Sequence, residues 1–178
     1  KSELPELDLG GGFGIAYIDG DVTVEPSDVL PQIHAAVKKA CAQHNLAIPF
    51  VSLEPGRNIV GPTMFTLYEV GTVKDVVVDG GKIRKYVSVD GGMSDNARTA
   101  LYDAQYTAVI AQRNSTAPLA LTRLVGKHCE TGDIIINEIQ LPSDIAPGDL
   151  VATPATGAYG RSMASNYNHV PRPPVVAV

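Results

Sequence analysis

The spacing of apolar residues changes period near residue 63, and that change constrains the fold more than any other feature of the sequence. Before it, a short apolar strand, LDL (7–9), runs into Gly10, Gly11 and Gly12. A helical stretch follows over 28–44, and PFVSL (49–53) reads as a second buried strand leading at once into EPGR (54–57). Strand, glycine loop, helix, strand and polar loop in that order make a β/α unit with parallel strands. After the change, MFTLYEVGTVKDVVV, KYVSVD, YTAVIAQR, TRLVGK, DIIINEI, DLVAT and PPVVAV are β-rich segments divided by Gly, Asp, Pro and Asn turns. That pattern builds an antiparallel barrel or sandwich. One short helix is expected near 96–104, NARTALYDA. The chain is therefore expected to be mostly β and to divide into two units, 1–63 and 64–178.

The 28–44 helix has Ser27 or Asp28 available as a cap, and Ile33, Ala36, Val37, Ala40 and Cys41 recur at helical spacing as one apolar face. Cys41 is thus expected in the core. His34 and His44 read as ordinary helix-face residues, since nothing nearby pairs with them.

With 44% apolar and 19% charged residues, the 178-residue chain is globular material. A net charge of −5, with its basic residues scattered, disfavours nucleic acid as a main partner. No apolar run approaches 18 residues and no signal peptide is evident, so no membrane role is expected. Two cysteines, Cys41 and Cys129, make no disulfide framework, and the composition reads as cytoplasmic. No clustered His or Cys spacing suggests a metal. The chain opens on Lys1, close to a glycine-rich turn, and stops at Val178 inside a strand-like run, so a piece of a longer polypeptide is expected.

Several short stretches can carry chemistry. Gly10, Gly11 and Gly12 leave backbone N–H groups free to approach an anion such as phosphate, or they make only a tight turn. Glu54-Pro55-Gly56-Arg57 puts an acid and a base at the C-terminal end of a strand, the face that carries the site in β/α barrels; the other reading is a surface ion pair. Arg98 and Tyr102 stand four apart, on one face if the segment is helical. Tyr159 lies between glycines in ATGAYG, too exposed by its neighbours for simple core, so its hydroxyl is expected to be used. In GKHCETGD (126–133), Cys129 sits among Lys127, His128 and Glu130, where a thiolate could be stabilised; otherwise it is a half-exposed loop cysteine without a role.

Together LDLGGGFGI, EPGR, YVSVDGGMSDNARTALYDAQY, GKHCETGD and ATGAYGRSMASNYN resemble the diaminopimelate decarboxylases, in family order over nearly the whole chain. The resemblance implies a pyridoxal 5′-phosphate enzyme with an alanine-racemase-like barrel and a C-terminal β domain, taking meso-diaminopimelate to lysine and CO2. It implies that Gly10, Gly11 and Gly12, with the EPGR backbone, hold the cofactor phosphate. Glu54 would face the pyridine nitrogen, and Tyr159 would contact the cofactor. Arg57, Arg98, Tyr102 and Glu130 would grip the unreacted end of the substrate, the arginines on its carboxylate and Glu130 on its ammonium. Cys129 would return a proton to the reacting carbon. It would reach in from the second subunit of a homodimer, in a site shared between the two.

The sequence also departs from the family. No stretch matches its early cofactor-binding lysine or its early histidine, and Lys38, Lys39, Lys82, Lys85 and Lys127 lie elsewhere. The resemblance thus implies about the last two of the eight barrel strands, with the N-terminal part of the same enzyme as a needed partner. The chain alone is expected to be inactive, with apolar surface exposed on an open remnant. Two alternatives stand beside this reading. One is a same-fold decarboxylase acting on ornithine, arginine or carboxynorspermidine, which has no need of Arg98. The other is a non-catalytic β-domain assembly module. Convergence of Arg98, Glu130 and Tyr159 on one pocket near the glycine loop would exclude the module, and side chains pointing to different surfaces would remove the geometric basis of the enzyme reading.

Overall fold

The computed structural model describes residues 5–178. Strand β1 (Glu6–Asp8) leads through the glycine loop to helix α1 (Pro26–His44), and strand β2 (Phe50–Ser52) pairs with β1 in parallel, Leu7 opposite Val51. The expected β/α unit is therefore present. Its helix starts differently from expectation. The N-cap is Glu25, with no side-chain capping bond, rather than Ser27 or Asp28. Pro26 at the first helical position fixes φ and needs no donor, and so sets the start. Asn45 in the left-handed region stops the helix, its N–H and that of Leu46 returning to the carbonyls of the last turn. Of the predicted apolar face only Cys41 is buried; Ile33 and Val37 are half-buried, and Ala36 and Ala40 are exposed. A two-stranded sheet offers too little surface to cover a 19-residue helix. Phe50, 71% exposed, shows the same shortage on the strand itself.

Helix α2 (Gly56–Val60) and a 3₁₀ turn (Gly61–Thr63) lead into the β-rich part. Its elements are β3 (Phe65–Val77), β4 (Ile83–Val89), α3 (Arg98–Tyr102), β5 (Val109–Ile110), β6 (Leu119–Val125), β7 (Ile134–Pro142), β8 (Leu150–Pro154) and α4 (Gly160–Met163). The six strands form one sheet in the order β5-β8-β3-β4-β6-β7. Strand β3 joins its two halves. Phe65–Glu69 pairs with β8, Val70–Val77 pairs with β4, and the register slips between Val70 and Val73. At the slip the Thr72 N–H donates to Ser88 Oγ at 2.8 Å, replacing a ladder bond. Such irregularities bend a strand. The sheet curls accordingly: Val151 on β8 and Leu141 on β7, far apart in strand order, share one core with Tyr68, Val87, Leu124 and Ile135.

Two expectations are corrected. The sheet is a single curled one, and it is mixed rather than antiparallel, because β4 and β6 run parallel with Lys85 opposite Thr122. Parallel neighbours need a crossover of a dozen or more residues, and the stretch between β4 and β6 supplies it. PPVVAV forms no strand: residues 170–178 have no regular structure, and Pro171, Pro173 and Pro174 remove three backbone donors.

The edge strand β5 is tied down by charge. Arg113 donates from Nε and Nη2 to Asp149 at 2.9 and 2.7 Å, and from Nη1 to Asp144 at 2.9 Å. Gln112 and the Ala146 N–H add further donors to Asp149, and Ser115 Oγ donates to Asp144. Arg113 holds the Asp149 carboxyl below the usual range, and Ser115 with Arg113 does the same for Asp144. A depressed folded pKa contributes stability that is present above the unfolded value of ~3.9 and lost as pH falls through the folded value. Arg113→Ala is therefore expected to move the acid-unfolding transition, followed by far-UV circular dichroism, to higher pH. An acid transition that stays in place would show that the network contributes nothing there.

Candidate active site

Three loops meet at the junction of the two parts. In the first, Gly10 and Gly12 take φ of 71° and 97°, values that favour glycine. The Gly10 N–H is used by Asp8 Oδ1 at 2.8 Å, and the Gly10 carbonyl accepts from the Glu54 N–H at 2.8 Å. A Cβ on Gly11 would lie 2.4 Å from the Glu54 carbonyl oxygen, so the glycine loop sits directly on EPGR. Among the described residues the N–H groups of Gly11 and Gly12 have no hydrogen-bond partner. Two free donors in a loop with open space beside it make a cradle suited to an anion.

EPGR, the second loop, is fastened back. Pro55 caps α2, the Gly56 N–H donates to the Glu54 carbonyl, and Arg57 Nε donates to the Phe13 carbonyl at 3.3 Å. The Glu54 side chain is exposed. The third loop is ATGAYG. A Cβ on Gly157 would fall 1.8 Å from the Val60 carbonyl oxygen, and the Gly157 N–H donates to Gly61 at 3.1 Å. Tyr159, at φ 63°, is 49% exposed.

Arg98, the first residue of α3, turns toward these loops. Its guanidinium carbon lies 4.8 Å from the centre of the Tyr17 ring, 5.7 Å from Tyr106 and 5.9 Å from Tyr159. Its Nη1 donates to the Tyr106 hydroxyl at 2.7 Å. Burial lowers the Arg98 pKa, but the Tyr106 bond and the surrounding tyrosine oxygens more than offset that, leaving it above its ordinary value. Burial raises the Tyr106 pKa, and Arg98 pulls partly against it. Tyr102, at the other end of α3, is 65% exposed and makes none of these contacts.

The β6–β7 turn carries a second cluster. Buried Asp133 accepts the N–H groups of Met93 and His128, each at 2.6 Å, and so pins this turn to the 90–95 loop. Gly92 and Gly126 leave the room for it, since a Cβ on either would meet its carboxylate. The His128 ring makes no hydrogen bond to Cys129 among the described residues. It bonds Ser94 Oγ at 2.9 Å and meets Tyr167 edge-on. Tyr167 donates to Glu130, and Cys129 is exposed. Within one chain this cluster shares no hydrogen bond or ring contact with the Arg98 cluster among the described residues.

The structure thus seats the glycine loop on EPGR and sets Arg98 beside Tyr159, and leaves Tyr102, Cys129 and Glu130 outside both pairs. Sequence reasoning passed over Tyr17, Tyr106, Asp133 and Tyr167. Tyr17 and Tyr106 sit in alternating apolar runs and look like strand residues. Asp133 ends an ordinary glycine turn.

Residues 62–157 match the family described as pyridoxal-dependent decarboxylase, C-terminal sheet domain, and residues 2–61 match the pyridoxal binding domain of pyridoxal-dependent decarboxylases. The chain belongs to the pyridoxal-dependent decarboxylase family. It is 50% identical over 177 residues to the diaminopimelate decarboxylase of Mycobacterium leprae, covering 99% of this chain and 38% of that protein. It is 52% identical over 175 residues to that of Corynebacterium efficiens, covering 98% and 38%. The crystal structure of the M. jannaschii diaminopimelate decarboxylase in complex with L-lysine superposes with a TM-score of 0.86 at 30% identity, covering 97% of this chain and 37% of that one. The chain therefore spans under half the length of the relatives it matches. No described helix is long and apolar enough to cross a membrane.

Proposed function

We propose that this chain forms the C-terminal part of a diaminopimelate decarboxylase, which releases CO2 from meso-diaminopimelate and leaves lysine. Residues 1–63 are the last strands of its β/α barrel, and 64–178 are its C-terminal β domain. The observation that carries this reading is the Arg98 guanidinium held beside Tyr159, together with the free-amide cradle that the glycine loop makes against EPGR.

Pyridoxal 5′-phosphate fits the residues present. The free amides of Gly11 and Gly12, with Gly10 and the Glu54-Pro55-Gly56-Arg57 backbone, would hold its phosphate, and Tyr159 would lie against it. Glu54 would keep its ring nitrogen protonated. When bound, the cofactor supplies an electron sink for the carbon that loses CO2. The rest falls to this chain. Arg98 and Arg57 hold the carboxylate of the unreacted end, where a planar fork matches a planar anion. Glu130 takes the neighbouring ammonium. Cys129 holds a proton at sulfur for delivery to the carbon that lost the carboxylate.

The separation of Cys129 and Glu130 from Arg98 within one chain supports a homodimer in which each turn completes the other subunit's site. The cofactor-binding lysine and the remaining barrel come from an N-terminal portion outside this chain, and the enzyme acts in the cytoplasm. An amine substrate with no distal carboxylate gives Arg98 nothing to bind, so the ornithine-type reading is less well supported.

A denaturing intact mass of the purified protein is the first measurement, since it shows whether the remaining barrel is present. CO2 release from meso-diaminopimelate is then compared with release from ornithine, arginine and carboxynorspermidine. Release from diaminopimelate alone is expected. Faster release from ornithine or arginine would overturn the substrate assignment.

A further inference from the structure

Arg98 is held on more sides than a substrate-binding arginine needs. The Tyr17 ring lies against its guanidinium carbon at 4.8 Å. The Tyr106 hydroxyl accepts from Nη1 at 2.7 Å. The two rings meet edge to face, with centroids 5.3 Å apart and planes at 84°, so each fixes the other. Tyr17 is itself anchored, because the backbone N–H groups of Tyr17 and Ile18 both donate to Asp21 Oδ2. Its hydroxyl is buried and has no hydrogen-bond partner among the described residues, so its closest hold on Arg98 is the ring face. Tyr106 belongs to the central apolar core. The clamp therefore ties the guanidinium to the segment leaving the glycine loop on one side and to the sheet core on the other.

We propose that Tyr17 and Tyr106 are positioning residues: they fix the plane of the Arg98 guanidinium and thereby set the preference for ligands whose unreacted end carries a carboxylate. An unrestrained arginine samples many rotamers and must be ordered by each ligand it binds; a clamped one has that ordering already made. With one Nη1 hydrogen committed to Tyr106, the remaining donors present a fixed edge. A planar carboxylate can take that edge in a forked pair, whereas a bare alkyl or ammonium end cannot. This inference rests on the assignment of Arg98 to the substrate carboxylate, and its test separates the two.

The probes are lysine, which keeps the amino-acid end of the substrate, and cadaverine, which is the same chain without the carboxylate. Their binding to the full-length, cofactor-loaded protein is measured by calorimetry, alongside KM and kcat for meso-diaminopimelate. Wild type should prefer lysine. Tyr106→Phe, which keeps the ring and removes the acceptor, should weaken lysine about 10-fold and leave cadaverine unchanged. Its KM should rise more than its kcat falls. Tyr17→Phe, which keeps the ring face, should keep the preference, and Tyr17→Leu, which removes it, should lose it. Thermal melts of the Phe variants report whether the fold is kept. A preference undiminished in both Tyr106→Phe and Tyr17→Leu overturns the inference while leaving the Arg98 assignment standing. A wild type that binds lysine and cadaverine equally overturns the assignment, and the inference with it.

Discussion

Replacing Arg98 by alanine is expected to lower kcat/KM for meso-diaminopimelate by roughly 30- to 4,000-fold, because removing one partner of a buried, hydrogen-bonded charge pair costs about 2–5 kcal/mol. The loss has two sources. The substrate carboxylate loses its forked donors. In addition, the space between Tyr17, Tyr106 and Tyr159 is left without the cation that three rings surround. Arg98→Lys should recover little of it. An ammonium can restore charge, but it cannot bond Tyr106 and a carboxylate in one plane. Steady-state kinetics on the full-length protein with both variants decides the matter. A lysine variant near wild type would mean that charge alone is read at this position, and that the planar fork is idle.

The second large effect is structural. Gly157→Ala is expected to destabilise the protein by about 3 kcal/mol, the upper part of the range for overpacking a tight site. The new methyl would lie 1.8 Å from the Val60 carbonyl oxygen, 2.9 Å from its carbon and 3.1 Å from the Gly61 oxygen. All three obstacles are backbone, so no side chain can turn aside. Relief requires the 155–160 loop to lift, which breaks the Gly157 N–H bond to Gly61 and draws Tyr159 away from Arg98. Urea unfolding should therefore show a lower midpoint with an unchanged slope. Gly160→Ala is the control, since a Cβ there meets nothing closer than 3.7 Å. Equal midpoints for the two variants would mean that the contact at Val60 relaxes without cost.

Local order was legible in the sequence because it is written in local periods. The alternation of MFTLYEV and DIIINEI marked β3 and β7, and NARTALYDA marked α3 within two residues at each end. Pairing was less legible. Nothing in KYVSVD or TRLVGK says that they lie side by side in parallel, because the partner of each strand is chosen by the core of the whole sheet. PPVVAV has strand composition but no neighbour to complete its hydrogen bonds, and composition alone does not make a strand. The α1 stripe failed in the same way: its spacing is helical, but what covers a helix is decided elsewhere in the fold.

The site divided similarly. Gly10, Gly11, Gly12, Glu54, Arg57, Arg98 and Tyr159 stand in short motifs that draw attention by themselves, and the fold seats the glycine loop on Glu54 and sets Arg98 beside Tyr159. Tyr17 and Tyr106 gave no such signal. A tyrosine that flanks a cation and a tyrosine that fills a core look alike in a chain, and only the approach of segments more than 80 residues apart distinguishes them. Asp133 was hidden for the opposite reason. Its turn is commonplace, and its importance lies in two backbone amides that come to it from different loops.

The parallel pairing of β4 with β6 has a further consequence. It obliges the chain to make one long excursion between two adjacent strands, and that single excursion carries Asp95, Arg98, Tyr102 and Tyr106. These residues are thus gathered on a tether whose two ends are fixed to adjacent strands, and which itself lays β5 beside β8 and Tyr106 in the core. A change in this tether therefore reaches the sheet edge at β5 and the core at Tyr106 as well as Arg98. The connection that places Arg98 is thus also part of the scaffold, and the one cannot be edited without the other.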